Sequence, residues 1–154
     1  MKTKKFALIL MALFLVTAWE GCKKDILVTG GFLSLKVDGD RWDATVALTS
    51  GYASGMLGIM GTDDIGNSVL LNLDSAFVVG TYLIGSNGSS GNTAIWQVGT
   101  GNNDSYFASP TVGSGSITLS EISATKAVGT FEFTAKNANG DTKVITKGKF
   151  SADY

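Results

Sequence analysis

The chain has 154 residues, 44% of them apolar and 16% charged, with a formal net charge of −1 at pH 7. That composition fits one folded domain and excludes a disordered polymer or a strongly basic nucleic-acid binder. A single cysteine cannot close an internal disulfide, and the absence of histidine removes Ser-His-Asp chemistry and the commonest metal ligand.

The first segment reads as an address. Lys2, Lys4 and Lys5 precede an unbroken apolar run from Phe6 to Val16, followed by Thr17 and Ala18. Eleven apolar residues are too few to span a bilayer, and charge followed by a short apolar run is the pattern of a secretory signal peptide. The lone cysteine, Cys22, follows Gly21 directly. This arrangement resembles a bacterial lipoprotein signal, in which the cysteine becomes the lipidated first residue of the mature chain. Trp19 and Glu20 depart from that pattern, which has an aliphatic and a small residue at these positions. The alternative is ordinary secretion by a cut after Ala18, leaving Cys22 a free thiol. The expected organisation is a signal peptide at 1–21, a tether at 22–30 and one β domain at 31–154. Lipidated Cys22 would fix the chain to a membrane of the cell envelope, expected to be the outer membrane, with its periplasmic and surface faces both open. The segment Lys23-Lys24-Asp25 loosely resembles the charged tract of surface-displayed lipoproteins.

Beyond the tether the apolar pattern has period two, the mark of strands with one buried face. Leu33, Leu35 and Val37 alternate with Ser34 and Lys36. Similar alternation runs through Val69 to Leu73, Ala94 to Val98, Ile117 to Leu119 and Phe131 to Phe133. Turn residues separate these runs. Asp38-Gly39 reads as a tight hairpin before a run from Trp42 to Leu48, and Gly66-Asn67 and Asn139-Gly140 mark further turns. Ser86 to Asn92 and Asn102-Asn103-Asp104 read as polar loops without packing residues. The expected fold is all-β. It is an antiparallel meander of about nine or ten strands in a two-sheet sandwich or flattened barrel. The alternative is an open, lipocalin-like barrel able to carry a small apolar ligand.

A resemblance enters on several short motifs in order. Val37-Asp38-Gly39 with Arg41-Trp42 opens the domain, and Gly80-Thr81-Tyr82 and Gly115-Ser116-Ile117-Thr118-Leu119 follow. Gly129-Thr130-Phe131-Glu132-Phe133-Thr134-Ala135, Asn139-Gly140 and Lys147-Gly148-Lys149-Phe150 close it. Together with the lipoprotein-like cysteine, this order resembles a family of small Bacteroidota lipoproteins carrying a β-rich domain of unknown function. The resemblance implies an exported β domain and brings no catalytic residues.

The residues that could carry chemistry have plainer readings. Ser123 and Lys126 have the Ser-x-x-Lys spacing of penicillin-binding enzymes, but they lie between strand patterns, where that chemistry needs a helix. Asp38, Asp40 and Asp43 cluster beside a turn, but Trp42 interrupts any calcium-loop ladder. Asp63-Asp64 and Asn102 to Asp104 would add oxygens only if the fold gathered them. The glycines lack a phosphate-loop pattern. Glu121 and Glu132 are the only glutamates beyond the signal, and Glu132 alternates away from Phe131 and Phe133, toward water. No enzyme, cofactor, metal or nucleic-acid partner is expected. Among the aromatics Trp42, Trp96, Tyr52, Tyr82 and Tyr106, Trp96 fits the core by its alternation. Tyr106-Phe107, before Pro110, is the candidate contact site for a protein, glycan or small-molecule partner. Asp74-Ser75-Ala76 resembles an O-glycosylation site of exported proteins, with Ser75 as acceptor.

Overall fold

The computed structural model describes residues 30–85, 91–100 and 104–154. The expected signal peptide, Cys22 and the tether before Gly30 lie outside the described residues, as do 86–90 and Asn102-Asn103.

Eleven strands make up the described chain: β1 (Gly31–Val37), β2 (Asp40–Asp43), β3 (Ala47–Ala53), β4 (Met56–Thr62), β5 (Ser68–Leu73), β6 (Gly80–Ile84), β7 (Thr93–Gln97), β8 (Ser105–Ala108), β9 (Ser114–Ile122), β10 (Lys126–Lys136) and β11 (Thr142–Asp153). All pairings are antiparallel. The main path runs β2-β1-β11-β10-β8-β7-β5-β4-β3, and β9 and β6 branch from β10. The sheet curls into a half-barrel, bringing its far strand back toward its start. Ser50 of β3 donates its hydroxyl to the Asp153 carbonyl at 2.7 Å, and the rings of Tyr52 and Tyr154 lie 5.7 Å apart.

The all-β expectation holds, with two refinements. The run from Trp42 to Leu48 is divided between β2 and β3, which raises the strand number above the expected nine or ten. Its middle residues cross between the two halves: Ala44 N–H still bonds to the Leu33 carbonyl, whereas Thr45 and Val46 N–H both bond to the Thr62 carbonyl. The order is also less sequential than a meander. β1 pairs with β11, β5 with β7 and β6 with β9, all across intervening elements.

The turns follow their residues. Asp38 and Gly39 take φ of 52° and 99°, the mirror-image turn that matches strand twist. Ser54 and Gly55 do the same between β3 and β4, with φ of 54° and 83°. Asn137 Oδ1 accepts from the N–H groups of Asn139 and Asp141, holding the β10–β11 loop. Asn92, expected in a loop without packing, is instead buried. Its Oδ1 accepts from Asp74 N–H and its Nδ2 donates to the Leu83 carbonyl.

The core joins the two halves of the curl. Trp42 on β2 and Trp96 on β7 meet edge to face, their centroids 5.3 Å apart. Such a pair contributes about 0.5–1.5 kcal/mol beyond its buried area. Since β2 and β7 are not neighbours in the sheet, this contact spans the interior where an open barrel would have a lumen. Leu35, Ile59, Leu71, Ile117 and Phe150 are buried within the same core. Glycines let the aromatics in. Phe131 faces Gly148 in register and Phe150 faces Gly129, where a side chain would strike the opposing ring. Each ring therefore covers a bare stretch of backbone on the next strand.

Candidate functional site

The most chemically loaded surface is the outer face of β2, β1, β11, β10 and β9, opposite the core. Strand register alone assembles it. Ser34 stands opposite Lys149, Lys149 opposite Thr130, Thr130 opposite Thr118 and Thr118 opposite Thr81 of β6. The hydroxyls of Thr118 and Thr81 are 3.0 Å apart. In an adjacent row Arg41 stands opposite Lys36, and Glu132 opposite Ser116.

A bulge in β11 adds a further cation. The ladder skips a residue on both sides of β11, between Ser34 and Lys36 on one flank and between Phe131 and Phe133 on the other. Ile145 points inward, so simple alternation would send Lys147 inward as well. The extra residue turns Lys147 out to solvent and restores Gly148 to the core beneath Phe131. Lys147 does this at φ 52°, a left-handed conformation that glycine takes freely and lysine does not.

These residues surround an open depression of about 690 Å³, lined in part by Lys36, Arg41, Lys147 and Lys149, with Glu132 its sole lining carboxylate. Arg41 is paired with Asp43 at 2.8 Å. Lys36, Lys147 and Lys149 make no ion pair among the described residues. Cations beside Ser34, Ser116, Thr118 and Thr130 can bind an anionic group and hydrogen-bond neighbouring hydroxyls or ester oxygens.

The residues singled out by sequence fall elsewhere. Tyr106 and Phe107 are consecutive on β8 and so point to opposite faces. Tyr106 packs against the core, with Lys143 Nζ 6.0 Å from its ring centroid, while Phe107 is 43% exposed on the outside. Trp42 and Trp96 are core residues, and Tyr52 and Tyr82 pack against the core edge. Glu132 is exposed, as its alternation implied. Ser123 and Lys126 form a strand turn, with the Ser123 N–H and hydroxyl both donating to the Lys126 carbonyl. Ser75 is exposed in the β5–β6 loop.

Two of the aspartates, Asp38 and Asp63, are occupied by N–H donors or an ammonium group. Asp38 accepts from Lys143 Nζ at 2.7 Å and Val144 N–H at 2.9 Å, which holds its carboxyl below the ordinary range. Asp63 is buried and accepts from Trp42 Nε1 at 2.7 Å, Asn67 Nδ2 and N–H at 2.8 Å, and Ile65 N–H at 3.1 Å. Burial pushes the Asp63 carboxyl up, but these four hydrogen bonds together outweigh it and leave it below the ordinary range. Among the described residues no three His, Cys, Asp or Glu side chains gather to hold a metal. Trp96 Nε1 is buried with no acceptor among the described residues.

The fold and this face define an all-β domain with a concave, cationic and hydroxyl-rich outer wall. Residues 31–152 match the model of a family described as a domain of unknown function, DUF6252, and the chain belongs to that family. The match starts at the first residue of β1. No curated protein and no solved structure matches the chain.

Proposed function

We propose that the chain is an exported, lipid-anchored binding module of the cell envelope, without catalysis, that takes an anionic glycan on the outer face of β1, β11, β10 and β9. The anchor is Cys22, placed after Gly21 at the end of a signal-like segment. Each CH₂ of an acyl chain adds about 0.8 kcal/mol of membrane affinity, so more than one chain on Cys22 gives durable attachment.

The observation that carries the contact reading is the depression on the outer face, with four cations and one carboxylate among interleaved serine and threonine hydroxyls. This lining suits the holding of charge more than the transfer of protons. Lys147 supports the reading, because the chain keeps a lysine at a strained backbone position whose effect is to add a cation to that wall.

Titration with a sulfated dextran and with uncharged dextran of equal size tests it. Binding of the sulfated polymer alone, falling steeply with salt, is expected. The double variant Lys147→Gln, Lys149→Gln should weaken it about tenfold, equivalent to roughly 1.4 kcal/mol. Equal binding by the variant, or no binding of either polymer, overturns the assignment.

A further inference from the structure

The end of the half-barrel where the tether enters carries a cluster of exposed apolar side chains. The Asp153 N–H donates to the Gly30 carbonyl at 3.2 Å, which fixes the tether's arrival beside the end of β11. Tyr154 N–H bonds to the Thr125 carbonyl, placing the β9–β10 turn there too, and the Tyr52–Tyr154 contact adds the β3–β4 turn. Ala76 N–H bonds to the Gly55 carbonyl at 2.7 Å, and the ring of Phe77 covers Gly55. The loop that follows leads into β6, whose first residue pairs with Leu119 near the same turn.

At this end Phe77, Val78, Val79 and Met56 are 63%, 65%, 57% and 63% exposed. Scattered apolar residues on a surface are ordinary, but three in sequence against a fourth on a neighbouring turn make a patch. At the centre of the patch the backbone of Val78 is paired within the protein. The Tyr82 hydroxyl donates to the Val78 carbonyl and accepts from the Val78 N–H at 3.4 Å, and the Phe77 N–H donates to the Ser75 carbonyl at 2.9 Å. Polar backbone groups that enter an apolar layer need partners of this kind.

From these observations we infer that the Phe77-Val78-Val79 loop, with Met56, rests in the interface of the lipid bilayer that holds Cys22, setting the domain upright on the membrane. The inference depends on the anchor reading. Seven residues lie between Cys22 and Gly30, and the eight steps from one to the other reach at most about 28 Å when extended. The opposite end of β10 lies roughly 34 Å further along the strand. The tether therefore keeps the apolar end toward the bilayer, while the cationic wall stands at the side, open to partners.

The full chain, expressed with its signal and purified from membranes, provides the test. Acylation of Cys22 leaves an introduced cysteine as the sole free thiol. Val78→Cys, and separately Asn139→Cys at the opposite end, are labelled with an environment-sensitive fluorophore and placed in phosphatidylcholine vesicles containing nitroxide-labelled lipid. The label at 78 should shift to the blue and be quenched several-fold, and the label at 139 should behave as in water. If the chain floats with the vesicles but both labels remain aqueous, or both are quenched alike, the docking inference fails and the anchor stands. If Cys22 carries no acyl chain and the protein does not float, the anchor reading fails and the docking falls with it.

Discussion

The indole Nε1 of Trp42 donates to the carboxylate of Asp63 across 2.7 Å of the buried interior. Trp42 belongs to the β1–β2 hairpin and Asp63 to the turn between β4 and β5, so one bond ties the two halves of the curled sheet. Asp63→Ala would strand the indole and the N–H groups of Ile65 and Asn67, and should cost about 3 kcal/mol in urea unfolding. Trp42→Phe leaves Asp63 its other donors, so about 1 kcal/mol of its cost should come from this bond, with the rest from the ring atoms lost beside Trp96.

The same carboxylate gives stability a pH dependence. Asp63 and Asp38 both sit below the ordinary carboxylate value of 3.8 in the folded chain. A depressed folded value means that the stabilisation is complete above the unfolded value and disappears as pH falls through the folded ones. Urea midpoints should therefore be flat from pH 7 to about 5 and drop below about pH 4. Asp63→Asn should lower the plateau and shrink that drop. An unchanged acid limb in the variant would mean that other carboxylates control it.

Two glycine substitutions should separate packing from chain entropy. A Cβ at Gly148 would fall 2.6 Å from the Phe131 ring and from its carbonyl oxygen. Gly148→Ala should cost about 1–3 kcal/mol. At Gly51, on the edge strand β3, nothing lies within 4 Å of the added carbon. Gly51→Ala should be neutral or stabilise by up to about 1 kcal/mol. Thermal melts of the two variants should shift in opposite directions or differ by several degrees.

Lys147 should show a conflict between stability and binding. Lys147→Gly relieves a left-handed lysine and should raise stability by about 1 kcal/mol. The same change removes a cation from the outer wall and should weaken binding of a sulfated polymer. Denaturation and titration of one sample would show both effects. A variant that is stabilised yet binds as before would dissociate the bulge from the contact.

Much of the architecture could be read from alternation, because each strand buries one face. The spacing of Leu33, Val69, Trp96 and Phe131 assigns them to the buried face, and the residue types of Asp38-Gly39 specify a hairpin turn. The division of Trp42 to Leu48 was hidden because its apolar spacing continues through a crossing that only the Thr62 carbonyl reveals. The pairing of β6 with β9 is a long-range choice that local pattern does not encode. The cationic wall is not legible in the sequence for the same reason: its residues run from Ser34 to Lys149 and become neighbours only through register. The bulge that exposes Lys147 leaves no local signature, since a lysine is an uncommon occupant of a left-handed position. Adjacency in sequence suggests that Tyr106 and Phe107 act as one pair, but adjacent strand residues face opposite ways, and only Phe107 is exposed.

The anchor is the claim on which the envelope role and the membrane docking both depend. Intact mass of the native protein extracted from membranes addresses it directly. The expected result is a mature chain that begins at Cys22 and carries acyl chains on that residue. A chain beginning at Trp19, with Cys22 as an unmodified thiol, would contradict it.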